Sequence, residues 1–208
     1  MFMNNFKRIE KTMNTKEMLQ FVEGQIYLYK KEFGELPEYF GKVLQVSTNN
    51  SKTCFPTVNN PSLVTCLIGL ECNQFCYACN GYYKMDSVEI PRLSNLYLYL
   101  TDKESYKAQL KLEMIKSKVI RVNDSGDLTD YEFTEMIIDL AIETKCNLQV
   151  FTKKHFLVNR YCKLHNVNNY KLEKMGVTII FSYDKKINNL VNPYGFKVAK
   201  VIKEGVNG

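Results

Sequence analysis

Four of the seven cysteines, Cys66, Cys72, Cys76 and Cys79, fall within fourteen residues, in the run T-C-L-I-G-L-E-C-N-Q-F-C-Y-A-C. Thiolates are soft metal ligands, and seven is an odd number, so the cysteines cannot all pair within the chain. A tight thiol cluster without a secretory signal reads as a metal site before it reads as disulfides. Three thiolates on one short loop, from Cys72, Cys76 and Cys79, can wrap one side of a four-iron, four-sulfur cluster and leave the fourth iron open. With Cys66 added the ligand set is closed. A four-cysteine zinc site is the alternative, although structural zinc sites pair two short knuckles some distance apart. Neither of the two histidines, His155 and His165, is near in sequence, and both are expected to pack or to lie on a helix surface. Cys146 and Cys162 are expected to be core thiols, and Cys54 has no assigned role.

A second group of polar residues follows an apolar run. Val122-Asn123-Asp124-Ser125-Gly126-Asp127 leaves a strand-like segment and enters a helix-like one. Gly126 permits a close approach of backbone to ligand. Asp127 or Thr129 can cap the helix, but one cap needs one residue, and this turn offers Asn123, Asp124, Ser125 and Asp127. These side chains suit the amino-acid or ribose groups of a nucleoside cofactor. Lys153, after the next strand, can meet a cofactor carboxylate or a substrate phosphate, or simply be solvated. Ser182 ends a third strand and is a weaker cofactor-binding candidate.

The elements that must position these groups can be read from periodicity. Residues 15–33 have helical spacing, with Thr15 at the start and Gly34 after the end. A short strand is expected at 42–47, and 48–62 is rich in turn formers and reads as loop. The cysteine cluster follows, within a loop spanning 48–90. A helix is expected over 91–115, opening on Pro91. Then come a strand at 119–123, a helix at 129–144, a strand at 148–152, a helix at 154–165, a strand at 177–182 and another at 196–202. Alternating strands and helices predict βα units and a parallel sheet, with the ligand site at the carboxyl ends of its strands. The expectation is one α/β domain over 1–208, with a helical N-terminal extension over 1–42.

The chain has 208 residues, 45% of them apolar and 24% charged, which excludes a disordered or collagen-like chain. No apolar run approaches the roughly 20 residues a membrane span needs, so no membrane association is expected and the cytoplasm is the default location. Net charge is +6. Residues 145–208 hold twelve Lys or Arg and three acids, so the last third is basic. Nucleic acid or another anionic partner is one reading, and a solvated lysine-rich surface is the other. There is no Gly-rich phosphate loop, no Gly-x-Ser-x-Gly elbow and no His-Glu-x-x-His pair.

The inner Cys-x3-Cys-x2-Cys resembles the radical S-adenosylmethionine superfamily, whose fold is a full or partial (βα) barrel with the cluster loop after its first strand. The superfamily places an aromatic residue just before the last cysteine; Ala78 stands there, with Tyr77 one place early. The segments N-S-K-T-C, T-C-x5-C-x3-C-Y-A, R-V-N-D-S-G-D and V-F-T-K-K also resemble a phage-borne family known from mycobacteriophage gene product eighty-eight. The first resemblance implies a 4Fe-4S cluster, S-adenosylmethionine as its cofactor, and an enzyme acting on an unnamed substrate. The second implies no particular activity; its recurrent cysteines match Cys66, Cys72 and Cys76, and its R-x-x-x-S-G-D motif matches Arg121, Ser125, Gly126 and Asp127, so either Cys66 or Cys79 stands as a fourth ligand. The competing class is a non-enzymatic iron–sulfur or zinc protein that binds nucleic acid or a host protein through its basic third. Whether Cys66 and Cys79 both ligate separates the two.

Overall fold

Residues 119–122 and 177–181 are β-branched at nearly every position, and such side chains pack well on a pleated sheet. They form the centre of a six-stranded sheet in the computed structural model. It describes residues 13–48, 55–67, 70–74, 76–79, 81–184 and 190–200, without the side chains at 71, 74, 77 and 83. The strands are β1 (Val46–Ser47), β2 (Thr57–Val58), β3 (Val119–Val122), β4 (Asn147–Thr152), β5 (Val177–Tyr183) and β6 (Lys197–Lys200). Their order in space is their order in the chain. β1 runs antiparallel to β2, and every later neighbour is parallel. Val122 pairs with Val150, which pairs with Ile179, so one buried row crosses three strands.

Parallel neighbours need long crossovers. The helices supply them: α1 (Thr15–Phe33), α2 (Asp86–Thr101), α3 (Lys103–Ser117), α4 (Tyr131–Thr144), α5 (His155–His165) and α6 (Asn169–Lys174). The cysteine loop, α2 and α3 join β2 to β3; α4 joins β3 to β4; α5 and α6 join β4 to β5. A doubly wound sheet reverses its strand order at a switch point, and this sheet has no reversal. Ile120, Val150 and Phe181 pack in one core with Tyr106, Phe133 and Val158, each worth about 1.5–3 kcal/mol of burial. A second core, of Met18 and Val22 from α1 with Val64, Ile90 and Leu96, lies against the base of the cysteine loop.

The mixed α/β class holds, and several local expectations change. The 48–62 segment is not all loop, because β2 lies inside it. Two residues carry no periodicity; they are strand because Arg121 N–H donates to the Pro56 carbonyl (2.9 Å) and Asn123 N–H to the Val58 carbonyl (2.9 Å). The cysteine cluster therefore follows a parallel strand. The strand expected at 42–47 shrinks to Val46–Ser47. The expected 91–115 helix is two helices, broken at Asp102, whose carboxylate accepts from Ser105 N–H (3.0 Å). The first begins at Asp86 and holds Pro91 inside it. The cap of α1 is Asn14, in a capping box with Glu17, rather than Thr15. Neither Asp127 nor Thr129 caps α4; Asp130 does. The six-residue α6 was not expected. Cys54 and the end of the 196–202 segment lie outside the described residues. Among the described residues no helix is long and apolar enough to cross a membrane.

Candidate metal centre

The turn after β3 is built against the segment after β2. Asn59 Oδ1 accepts from the N–H groups of Asp124 (2.8 Å) and Ser125 (3.1 Å). Ser125 Oγ meets Ser62 Oγ at 2.7 Å and donates to the Asn60 carbonyl at 3.1 Å. Gly126 has φ +77°, and a Cβ there would stand 2.6 Å from Thr65 Oγ1 and 2.8 Å from the Asn60 carbonyl oxygen. Only glycine fits that approach. Thr65 Oγ1 in turn accepts from Asp127 N–H at 2.9 Å. Asp124 points elsewhere, into an ion pair with Arg121 at 3.2 Å.

Asp127 is buried and ties this turn to the end of β4. Its Oδ1 accepts from the Thr152 hydroxyl (2.5 Å) and Leu128 N–H (2.7 Å), and its Oδ2 from Lys153 N–H (3.0 Å). Asn123, at φ +66°, accepts from Asn60 Nδ2 at 3.2 Å. Its own Nδ2 and Asn60 Oδ1 are buried without a hydrogen-bond partner. Unmet buried polar atoms are rare in folded proteins and mark places where a ligand or water belongs.

Lys154 is 1% exposed. Its amine donates to the Thr129 carbonyl at 3.1 Å, beneath the turn. Burial pushes its pKa below the usual amine value, while the nearby Asp127 carboxylate and Cys66 thiol oppose that shift. The sequence reads Lys153-Lys154 as a pair at a strand end, but only Lys153 reaches the surface. His155 is a packing residue, stacked on Phe181 at 4.4 Å with Nε2 against the Ser182 carbonyl at 3.1 Å. His165 lies on the helix surface, paired with Glu135 at 3.0 Å. Cys146 and Cys162 are buried in the core, as their lack of ligand spacing suggested.

The cysteine loop crosses these strand ends in short helical turns. The sheet holds it through Asp184, at the end of β5, whose Oδ2 accepts from Cys72 N–H at 3.0 Å. The thiols sense one another. Burial pushes Cys66 up to about 12, helped by the Asp127 carboxylate and by Cys76 and Cys72. Burial raises Cys72 to about 11, with Lys153 pulling the other way. Cys76 is lowered because the Cys79 thiol donates a hydrogen bond to it, and Cys79 is raised by that same bond. Among the described residues no three His, Cys, Asp or Glu side chains close on a single metal ion.

Of the residues singled out from sequence, the four cysteines, Asp127 and Lys153 come together electrostatically. Asn123 and Ser125 line the same turn, buried. Ser182 contributes a backbone carbonyl to His155, on the neighbouring strand end. The strand ends at 123–127, 152–154 and 182–184 are expected from sequence to converge, and Asp127 and Asp184 do reach the 152–154 segment and the cysteine loop. Nothing in the sequence signals the burial of Lys154 or the role of the Asn59-Asn60 pair.

Comparison with known proteins places these residues in a family. No curated protein and no solved structure is matched. A family model, Gene product 88, matches residues 27–206, a span that includes all four clustered cysteines, the 123–127 turn, Lys153 and Asp184. The chain belongs to the Gene product 88 family.

Proposed function

We propose that this protein is an iron–sulfur enzyme of the radical S-adenosylmethionine type, in which Cys72, Cys76 and Cys79 hold a 4Fe-4S cluster with one open iron. The observation that carries this reading is the position of the cysteine loop: it leaves a parallel strand and is tied through Asp184 to the carboxyl end of another. Consecutive parallel strands, each added beside the last, follow the order of a (βα) barrel, and we read β2–β6 as a partial one. The donor set fits. Four thiols share one electrostatic neighbourhood on a single loop, and thiolates are the ligands that hold iron–sulfur clusters.

When bound, such a cluster supplies the electron that cleaves the sulfonium of a chelated S-adenosylmethionine. The chain's own residues bind and orient. Asn123 offers its unmet Nδ2 to a cofactor oxygen, and Asp127 Oδ2 takes an ammonium group beside Lys153 N–H. Lys153 stands on the Cys72 and Cys76 side and neutralises thiolate charge there. Ser125 and Gly126 keep the turn pressed on the 59–65 segment. Ser182 lies on the adjoining strand end, within the same rim. Reduced thiols of this kind belong in a reducing compartment, the host cytoplasm.

Anaerobic purification with iron and sulfide analysis, followed by reduction in the presence of S-adenosylmethionine, tests the reading. Release of 5′-deoxyadenosine that disappears in Cys76→Ala supports it. A fully loaded cluster that neither cleaves the cofactor nor changes its spectrum on adding it overturns it, as does colourless protein holding one zinc. Cys66→Ala is expected to keep its iron, and loss of the cluster there makes Cys66 a fourth ligand and closes the open position.

A further inference from the structure

A cavity of about 560 Å³ lies between α5 and residues 191–194, with Leu67 of the cysteine loop at its edge. That volume is in the range of small-molecule sites. Three cations line it, Lys153, Arg160 and Lys163, and no acid does. Phe156, Arg160 and Lys163 stand one and two turns apart along α5, so they share a helix face. Among the described residues, none of the three cations is in a salt bridge. Arg160 lies over the Tyr131 ring at 4.2 Å and acts on Glu135, but that carboxylate is already held by His165 and Tyr131 and does not line the cavity. Of the remaining wall residues, Asn159 is polar and donates through Nδ2 to the Val191 carbonyl at 2.7 Å, and His155 is stacked on Phe181; the others are apolar or aromatic, with Phe156 56% and Val191 60% exposed and Tyr194 beside them.

We propose that this cavity binds a phosphorylated nucleoside, free or as the end of a nucleic-acid strand, with its phosphate on Lys153, Arg160 and Lys163 and its base on the Phe156 and Tyr194 side. Charge selects the ligand. S-adenosylmethionine carries a sulfonium, an ammonium and one carboxylate, so three cations outside any salt bridge repel it on balance. A phosphate monoester near neutral pH carries close to two negative charges and offers oxygens to guanidinium and ammonium donors. A flat base suits an apolar, aromatic wall. Lys153 belongs to both the cavity and the surroundings of Cys72 and Cys76, so the ligand sits beside the cysteine loop. Binding here stands without the radical-enzyme reading; that the bound nucleotide is the enzyme's substrate rests on it.

The test titrates the full chain, purified anaerobically, with inorganic phosphate, adenosine, the four nucleoside monophosphates and a 5′-phosphorylated single-stranded oligonucleotide. Iron and sulfide are assayed on the same samples. A monophosphate or the oligonucleotide is expected to bind more tightly than phosphate or adenosine, with affinity falling as salt rises. Joint replacement Arg160→Gln and Lys163→Gln is expected to weaken it by about tenfold or more, with circular dichroism and iron content unchanged. Phe156→Ala is expected to weaken the nucleotide but not inorganic phosphate. Monophosphate binding equal to the oligonucleotide's assigns a free nucleotide; a clear preference for the oligonucleotide assigns a strand end. No binding at millimolar ligand, binding insensitive to the double replacement, or displacement by S-adenosylmethionine overturns the proposal. Because binding and iron loading are read separately, failure of one leaves the other standing.

Discussion

Asp127 accepts three hydrogen bonds in a buried setting: the Thr152 hydroxyl, Leu128 N–H and Lys153 N–H. Asp127→Asn keeps the volume but turns one acceptor into a donor facing a donor. The expected cost is about 1–3 kcal/mol, seen as a lower urea midpoint of the metal-free chain, since an unmet buried partner carries that penalty. An unchanged midpoint removes Asp127 from its structural role. Gly126 and Gly24 make an opposed pair. Gly126→Ala must push a Cβ into Thr65 Oγ1 and the Asn60 carbonyl at a positive φ, so clear destabilisation is expected. Gly24 lies mid-helix in α1 with nothing within 4 Å, so Gly24→Ala is expected to stabilise by about 0.5–1 kcal/mol. Thermal melting of both variants decides the matter. The R-V-N-D-S-G-D turn was legible because polar residues and a glycine follow an apolar strand. Its partners were not, because they lie over sixty residues away in the 59–65 segment. Lys154 was hidden for a different reason: a lysine reads as solvated, and only the fold buries it under Thr129.

Among the elements, long periodic segments were readable and short ones were not. β3, β4, β5, α4 and α5 lie within two residues of their expected bounds and α1 falls on them, since each repeats its apolar positions often enough to define a period. β2 has two residues flanked by Pro56 and Asn59, and its strand state comes from β3's backbone rather than from its own side chains. The cap of α4 shows how tertiary contacts choose among local candidates. Thr129, Asp127 and Asp130 all precede the helix. Asp130 wins because its Oδ1 accepts both Phe133 N–H (2.8 Å) and the buried Tyr99 hydroxyl (2.8 Å). Asp130→Ala loses the cap and strands Tyr99, so about 2–4 kcal/mol of destabilisation is expected. Asp130→Asn keeps an oxygen there and is expected to cost under about 1 kcal/mol. Equal urea midpoints for the two variants contradict the shared-acceptor role.

At the scale of the whole molecule, the connection that matters for the site joins residues 112 positions apart: Asp184 at the end of β5 and Cys72 in the loop after β2. The sheet orders its strands consecutively, so β2 and β5 are not neighbours, and two strands separate them. The loop crosses that gap in helical turns of three or four residues, too brief to stabilise themselves. Its order therefore depends on anchors such as Asp184, which accepts the Cys72 N–H and whose carboxylate helps raise the pKa of the Cys72 thiol. Asp184→Ala removes the anchor without touching the main core, where Phe181 and Phe196 still stack at 4.7 Å. Hydrogen exchange then distinguishes a tethered loop from one that is rigid by itself. The Cys72 amide is expected to exchange at least about tenfold faster in the variant, while β3 and β4 amides keep their protection, because opening is local. Iron retained per chain is expected to fall alongside. If the Cys72 amide keeps its protection, the loop holds its shape without β5, and the route from strand end to cysteine runs through the 59–65 segment alone.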